Sequence, residues 1–136
     1  MMPIEYQIDH TRRLVTAQGR GVFSDQDVFE YQQAVWSRPE VAGYDELIDM
    51  RAVERIVQPS ANRVRQLAAL SASMDAGRPS RFAIVASQDL AFGLGRMYQT
   101  FRGLEESSTK EVGVFRTRGD AMAFLGIEGE GTGTQA

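Results

Sequence analysis

The chain of 136 residues has no cysteine and only one histidine, His10. Without cysteine there are no disulfide bonds, thiolate nucleophiles or cysteine-ligated zinc, and the composition fits a reducing compartment. One histidine with scattered carboxylates is a poor basis for a zinc site or a serine–histidine pair. The sequence therefore predicts no catalytic residues, no metal site and no cofactor, and we expect a protein that is not an enzyme.

Long hydrophobic runs and an excess of positive charge are also missing. Because no apolar run approaches the roughly 18 residues of a membrane span, we expect no transmembrane segment. Fifteen basic and eighteen acidic side chains give a net charge of −3, which argues against nucleic acid as a partner. The first residues, MMPIEYQIDH, lack the basic and apolar regions of a secretory signal, so we expect a cytoplasmic protein.

The segments that are present alternate between strand and helix patterns. Two short runs at 4–9 and 13–20 predict an antiparallel hairpin. Further strands are predicted at 45–50, 82–86 and 111–115, and helices at 24–38, 60–76, 89–105 and 117–126. This order predicts a single α/β domain with a mainly parallel sheet of about five strands, an N-terminal antiparallel hairpin and about four helices. We place the domain at 1–126 and predict a flexible, glycine-rich tail at 127–136.

Two closely spaced glycines, Gly93 and Gly95, follow the predicted strand in VASQDLAFGLGRMYQTF. A dinucleotide-binding loop needs its first glycine directly after the strand, whereas Gly93 lies six residues beyond Ser87 and no P-loop lysine follows. The segment instead predicts a helix in which the glycines permit close approach of a neighbouring element. The apolar stripe predicted to pack on the sheet consists of Leu90, Leu94, Met97 and Phe101.

The opposite side of that helix offers a candidate contact surface. Phe92, Arg96 and Gln99 share a stripe at helical spacing, and Gly95 lies beside them. An aromatic ring, a glycine and a guanidinium together suit a protein contact. The alternative is that Phe92 belongs to the core.

A second candidate site lies where the predicted third and fourth strands end. Ligands of open parallel sheets bind beyond the carboxyl ends of the strands. The polar residues at this candidate ligand edge are Asp49, Arg51, Ser87, Gln88 and Asp89. The simpler interpretation is that the two aspartates cap turns and helices.

The segments RFAIVASQDLAFGLGRMYQTF and VGVFRTRGDAMAFLG, with the opening hairpin and ELIDMRAV, resemble the STAS-like family of small bacterial proteins. The resemblance covers about residues 4–126 and implies the fold of the anti-sigma-factor antagonists, which is similar to the CRAL-TRIO lipid-transfer domains. In phosphorylated antagonists a switch serine follows the third strand, but Pro59 stands there in this sequence, and Ser60 is a predicted helix cap.

The resemblance implies binding rather than catalysis. We expect a non-catalytic interaction or regulatory module, with an unknown protein or a second copy of the chain as its partner. The alternative is a carrier for a small apolar or amphipathic, lipid-like ligand.

Overall fold

The computed structural model describes residues 3–127, which form one five-stranded sheet with helices on both faces. The strands are β1 (Ile4–Asp9), β2 (Leu14–Phe23), β3 (Asp45–Ile56), β4 (Ser80–Val85) and β5 (Lys110–Phe115). They lie in the sheet in chain order, with β1 and β2 antiparallel and every later pair parallel. The predicted α/β domain with a mainly parallel sheet and an N-terminal hairpin is confirmed.

The helices are α1 (Asp25–Tyr31), α2 (Ala61–Ser73), α3 (Asp89–Gly103) and α4 (Arg118–Leu125). A π-helical segment, Gln32–Trp36, continues α1, and a 3-10 turn, Pro39–Val41, follows it. Side-chain oxygens of Ser24, Ser60 and Thr117 accept hydrogen bonds from backbone N–H groups and so cap α1, α2 and α4. No helix within residues 3–127 is long and apolar enough to cross a membrane.

The two faces of the sheet carry separate cores. α1, the π-helical segment, α2 and α3 cover one face, and α4 covers the other. Because side chains alternate along a strand, Ile48 and Ile84 belong to the first core while Leu47 and Val85 belong to the second. This double burial explains the consecutive apolar residues of β4.

Helix α3 packs a different face on the sheet from the predicted one. Its buried residues are Ala91, Gly95, Tyr98 and Arg102, whereas Leu90 is 43% exposed. A Cβ atom on Gly95 would lie 3.1 Å from Cγ1 of Val114, so the small residue brings the helix close to β5. Of the predicted apolar stripe, Met97 and Phe101 pack against the first core and Leu94 is partly buried, but Leu90 is exposed. The most deeply buried side of α3 is shifted by one position, because Gly95 and Ala91 allow the helix to lie close to the sheet.

Three details at the ends of elements also differ from the predictions. β3 continues beyond residue 50 because it remains paired with β2 as far as Ile56. Gln88 occupies the cap position of α3 without a side-chain capping bond, so Asp89 does not cap this helix. Ile127, the first residue of the predicted tail, packs against the α4 core, and the remainder of that tail lies outside the described residues.

Candidate functional site

Asp49 and Arg51, in the predicted ligand edge, form an ion pair with each other. Asp49 is buried and accepts hydrogen bonds from Nε and Nη2 of Arg51, the latter at 2.8 Å. Nη1 of Arg118 lies 3.5 Å from Oδ2 of Asp49 and so joins α4 to β3. Burial alone raises the pKa of Asp49, but hydrogen bonds and charge from Arg51, with the charge of Arg118, outweigh it and lower the pKa. Asp49 is therefore ionised near neutral pH and already paired.

The other three residues of the ligand edge are exposed: Ser87 and Gln88 lie in the turn after β4, and Asp89 is the first residue of α3. Nη1 of Arg116 donates to the backbone oxygen of Ser87 at 3.0 Å and to Oδ1 of Asp89 at 2.9 Å. Nε2 of Gln88 lies 3.5 Å from the backbone oxygen of Val53, on β3. The fold thus brings the predicted residues to one edge of the sheet, where arginines of the same chain pair with both aspartates.

Of the four residues of the predicted contact surface, Gly95 does not lie on the outer side of α3, whereas the other three are partly or fully exposed. Gly95 is buried against β5, which corrects its predicted outward position. The Phe92 ring is partly buried, and the Arg116 guanidinium carbon lies 4.0 Å from its centroid. Nε2 of Gln99 donates to the backbone oxygen of Val112 at 2.8 Å. Arg96 is exposed.

An apolar cavity lies between the sheet and the layer formed by α1, α2 and α3. Its volume is about 120 Å³. The apolar side chains in its wall include Ile48, Val64, Leu67, Phe82, Ile84 and Leu94. These residues come from four different elements, β3, α2, β4 and α3, and no sequence motif connects them.

The polar residues of the cavity wall fall into two groups. Ser24, Asp25 and Arg63 are partly exposed and mark the mouth, where Nε of Arg63 lies 2.6 Å from Oδ2 of Asp25. Gln32 and Tyr98 are buried and mark the inner end. Burial raises the pKa of Tyr98 to about 12, although the charge of Arg102 acts in the opposite direction. Tyr98 is therefore a neutral phenol at physiological pH.

A cluster of buried charges lies beyond the inner end of the cavity, with Gln32 in the wall between them. Glu46 accepts a hydrogen bond from the Tyr31 hydroxyl at 2.8 Å and lies 3.5 Å from Nζ of Lys110. A second buried pair, Arg102 with Asp75, connects α3 to the end of α2. Burial lowers the pKa of Lys110, while the nearby Glu46 carboxylate acts to raise it.

Neither the cavity nor this cluster was predicted from the sequence. One signal for the cluster was available, because Glu46 alternates with Ile48 and Met50 in β3 and so shares their face. The cavity has no comparable signal. Its shape depends on how side chains distant in sequence fill the space between helices and sheet.

The fold has a counterpart among solved structures. No protein-family model and no curated protein matches the sequence. The chain is similar to an uncharacterized protein of the DUF3478 family from Shewanella loihica PV-4, whose crystal structure has a SpoIIAA-like fold. The TM-score is 0.56 at 18% identity, and the match covers 92% of this chain and 95% of the other. This chain therefore has the SpoIIAA-like fold, which is the fold of STAS-like proteins.

Proposed function

We propose that this protein is a non-catalytic binding module that holds a small, largely apolar ligand in the cavity between its helical layer and its sheet. The observation that carries the proposal is an apolar cavity of about 120 Å³ that opens to the surface beside Asp25 and Arg63. A ligand in this cavity would remove apolar surface from water and gain contacts with the apolar wall.

The volume indicates the size of the ligand. An engineered, enclosed apolar cavity of about 150 Å³ binds benzene, which sets the scale for a space of this size. A single ring or a short chain suits the space in this protein, whereas a long acyl chain needs several times this volume. The ligand is therefore apolar or amphipathic, as the sequence-based alternative supposed, but smaller than a membrane lipid.

The polar groups at the mouth support binding rather than catalysis. Asp25 and Arg63 pair with each other, and the Ser24 hydroxyl takes part in the capping box with Asp27. Each group is thus already engaged in holding the start of α1 and α2. A general base or a nucleophile has to be available to the substrate instead.

Thermal denaturation with toluene as the probe tests the proposal. Toluene should raise the Tm of the wild-type protein, because a ligand that binds only the native state stabilises it. Ala91→Leu adds volume to a residue of the cavity wall and should abolish this rise. Ala69→Leu, on the exposed side of α2, is the matched control and should preserve it. An unchanged wild-type Tm, or the same rise in all three proteins, would contradict the proposal.

Binding to another protein, or to a second copy of the chain, is a second candidate function, and it rests on Arg96. This exposed guanidinium has no ion-pair partner among residues 3–127, and it lies one turn of α3 after Phe92. Sedimentation velocity over a range of protein concentrations should then show self-association that Arg96→Glu weakens and Arg65→Glu, on the exposed side of α2, does not. Without self-association in the wild type, or with equal effects of both changes, Arg96 has no role in a contact between copies.

A further inference from the structure

A buried glutamine without a hydrogen-bond partner belongs to the cavity wall. Gln32 is 4% exposed and lines the cavity at its inner end. Its side-chain amide makes no hydrogen bond to another residue within the described range 3–127. The amide oxygen and nitrogen nevertheless keep some accessible surface, so a group that enters the cavity can form a hydrogen bond with them.

The backbone around Gln32 holds the amide in place. Gln32 is the first residue of the π-helical segment, a form of helix that occurs frequently at functional sites. Tyr31, Val35 and Trp36 of the same stretch are buried in the core, and Nε1 of Trp36 donates to the Tyr31 hydroxyl at 3.2 Å. Since these neighbours are packed in the core, Gln32 is held at the cavity wall.

We propose that the natural ligand carries one neutral hydrogen-bonding group, a hydroxyl or an amide, that pairs with the side-chain amide of Gln32. This inference rests on the proposed function of the cavity. The glutamine side chain offers an acceptor oxygen and two N–H donors, and a hydroxyl or amide can both donate to it and accept from it. The rest of the ligand is the single ring or short chain that the apolar wall accommodates.

An ionised group on the ligand is disfavoured by the same surroundings. The charged residues of the cavity wall are Asp25 and Arg63, which lie at the mouth and pair with each other. An ionised group at the inner end would lose its water without gaining a partner of opposite charge from the wall. The ligand class is therefore neutral phenols, alcohols and amides, rather than carboxylates or amines.

Phenol and toluene form a matched pair of probes, because they share one shape and differ in a hydroxyl against a methyl group. The dissociation constants of both are measured by titration calorimetry with the wild-type protein, Gln32→Met and Gln33→Met. Methionine replaces the amide with an apolar chain of similar length, and Gln33 is the exposed neighbour of Gln32. We expect the ratio of the toluene Kd to the phenol Kd to fall about tenfold in Gln32→Met, the size of a net hydrogen bond, and to stay unchanged in Gln33→Met.

The outcomes separate this inference from the proposed function. If both probes bind and Gln32→Met leaves the ratio unchanged, the role of Gln32 is overturned and the cavity remains a binding site. If neither probe binds the wild-type protein, the proposed function fails and this inference fails with it.

A measurement on the wild-type protein does not depend on how well the variant folds. The side-chain NH₂ signals of Gln32 in a nitrogen-15 NMR spectrum should shift on saturation with phenol and should move much less with toluene. Equal shifts with the two probes would overturn the role of Gln32.

Discussion

Lys110 and Glu46 place two opposite charges in the core, where each charge is compensated by the other. Both side chains are almost wholly buried, and Nζ of Lys110 also lies 3.5 Å above the ring centroid of Trp36. Removing one partner of a buried pair leaves an uncompensated charge, which is more costly than removing both.

The free energy of unfolding in urea measures how much this compensation stabilises the protein. We expect Lys110→Met to lower the free energy of unfolding by about 3–5 kcal/mol, because Glu46 is left without its cation. Combining Lys110→Met with Glu46→Gln should recover much of that loss. If the double variant loses as much as the two single changes added together, the two charges do not stabilise each other.

The buried phenol of Tyr98 should make the folded protein less stable at strongly alkaline pH. Burial raises its pKa from 10.0 to about 12, so the unfolded chain loses this phenolic proton at lower pH than the folded protein does. The stabilising contribution of Tyr98 should therefore be complete below about pH 10 and disappear as the pH rises through about 12.

A titration followed by the ultraviolet absorbance of tyrosinate checks this behaviour. The wild-type protein should show a late component near pH 12 or at the pH of unfolding, and Tyr98→Phe should reduce it. Tyr31 contributes to the same component, because burial and the Glu46 carboxylate raise its pKa well above 10.0. Ionisation of every tyrosine near pH 10, with the fold intact, would contradict the burial of these two phenols.

The two glycines of helix α3 differ in surroundings, and the difference predicts opposite effects of added side chains. A Cβ atom on Gly93 meets nothing within 4 Å, whereas one on Gly95 lies 3.1 Å from Cγ1 of Val114. Gly93→Ala should stabilise the protein by roughly 0.5–1 kcal/mol, the usual gain of alanine over glycine inside a helix. Gly95→Leu should destabilise it, because the larger side chain forces α3 away from β5.

Thermal unfolding of the two variants in parallel tests this difference. Gly93→Ala serves as the control that glycine replacement in α3 is tolerated where space is free. Equal stabilities of the two variants would show that α3 does not pack on the sheet through Gly95.

The types of the elements follow from the sequence more reliably than the faces on which they pack. Ser24 with Asp27, Ser60 and Thr117 were recognisable as helix starts because capping is local chemistry. The buried face of α3 was not recognisable, since it joins Gly95 and the charged residue Arg102. Arg102 is buried only because Asp75, 27 residues away in the chain, supplies its partner.

In the whole molecule, the two faces of the sheet are covered by different numbers of helices. α1, the π-helical segment, α2 and α3 share one face, and α4 alone packs on the other. The cavity lies on the first face, where several helices meet over the sheet. The position of Asp49 and Ser87 at one edge of the sheet was predictable, because strand ends follow from the order of elements. The cavity was not predictable, because its wall is assembled from side chains that only the fold brings together.

If a small apolar ligand enters this cavity, methyl NMR spectra recorded during a titration with toluene should show where it binds. The methyl groups of the cavity wall are those of Ile48, Val64, Leu67 and Ile84, and the methyl groups of the opposite core are those of Leu14, Leu47, Val85 and Leu125. The proposed site predicts saturable shifts in the first set and little change in the second, which serves as an internal control. If saturating toluene moves neither set, or moves both equally, the cavity is not a binding site.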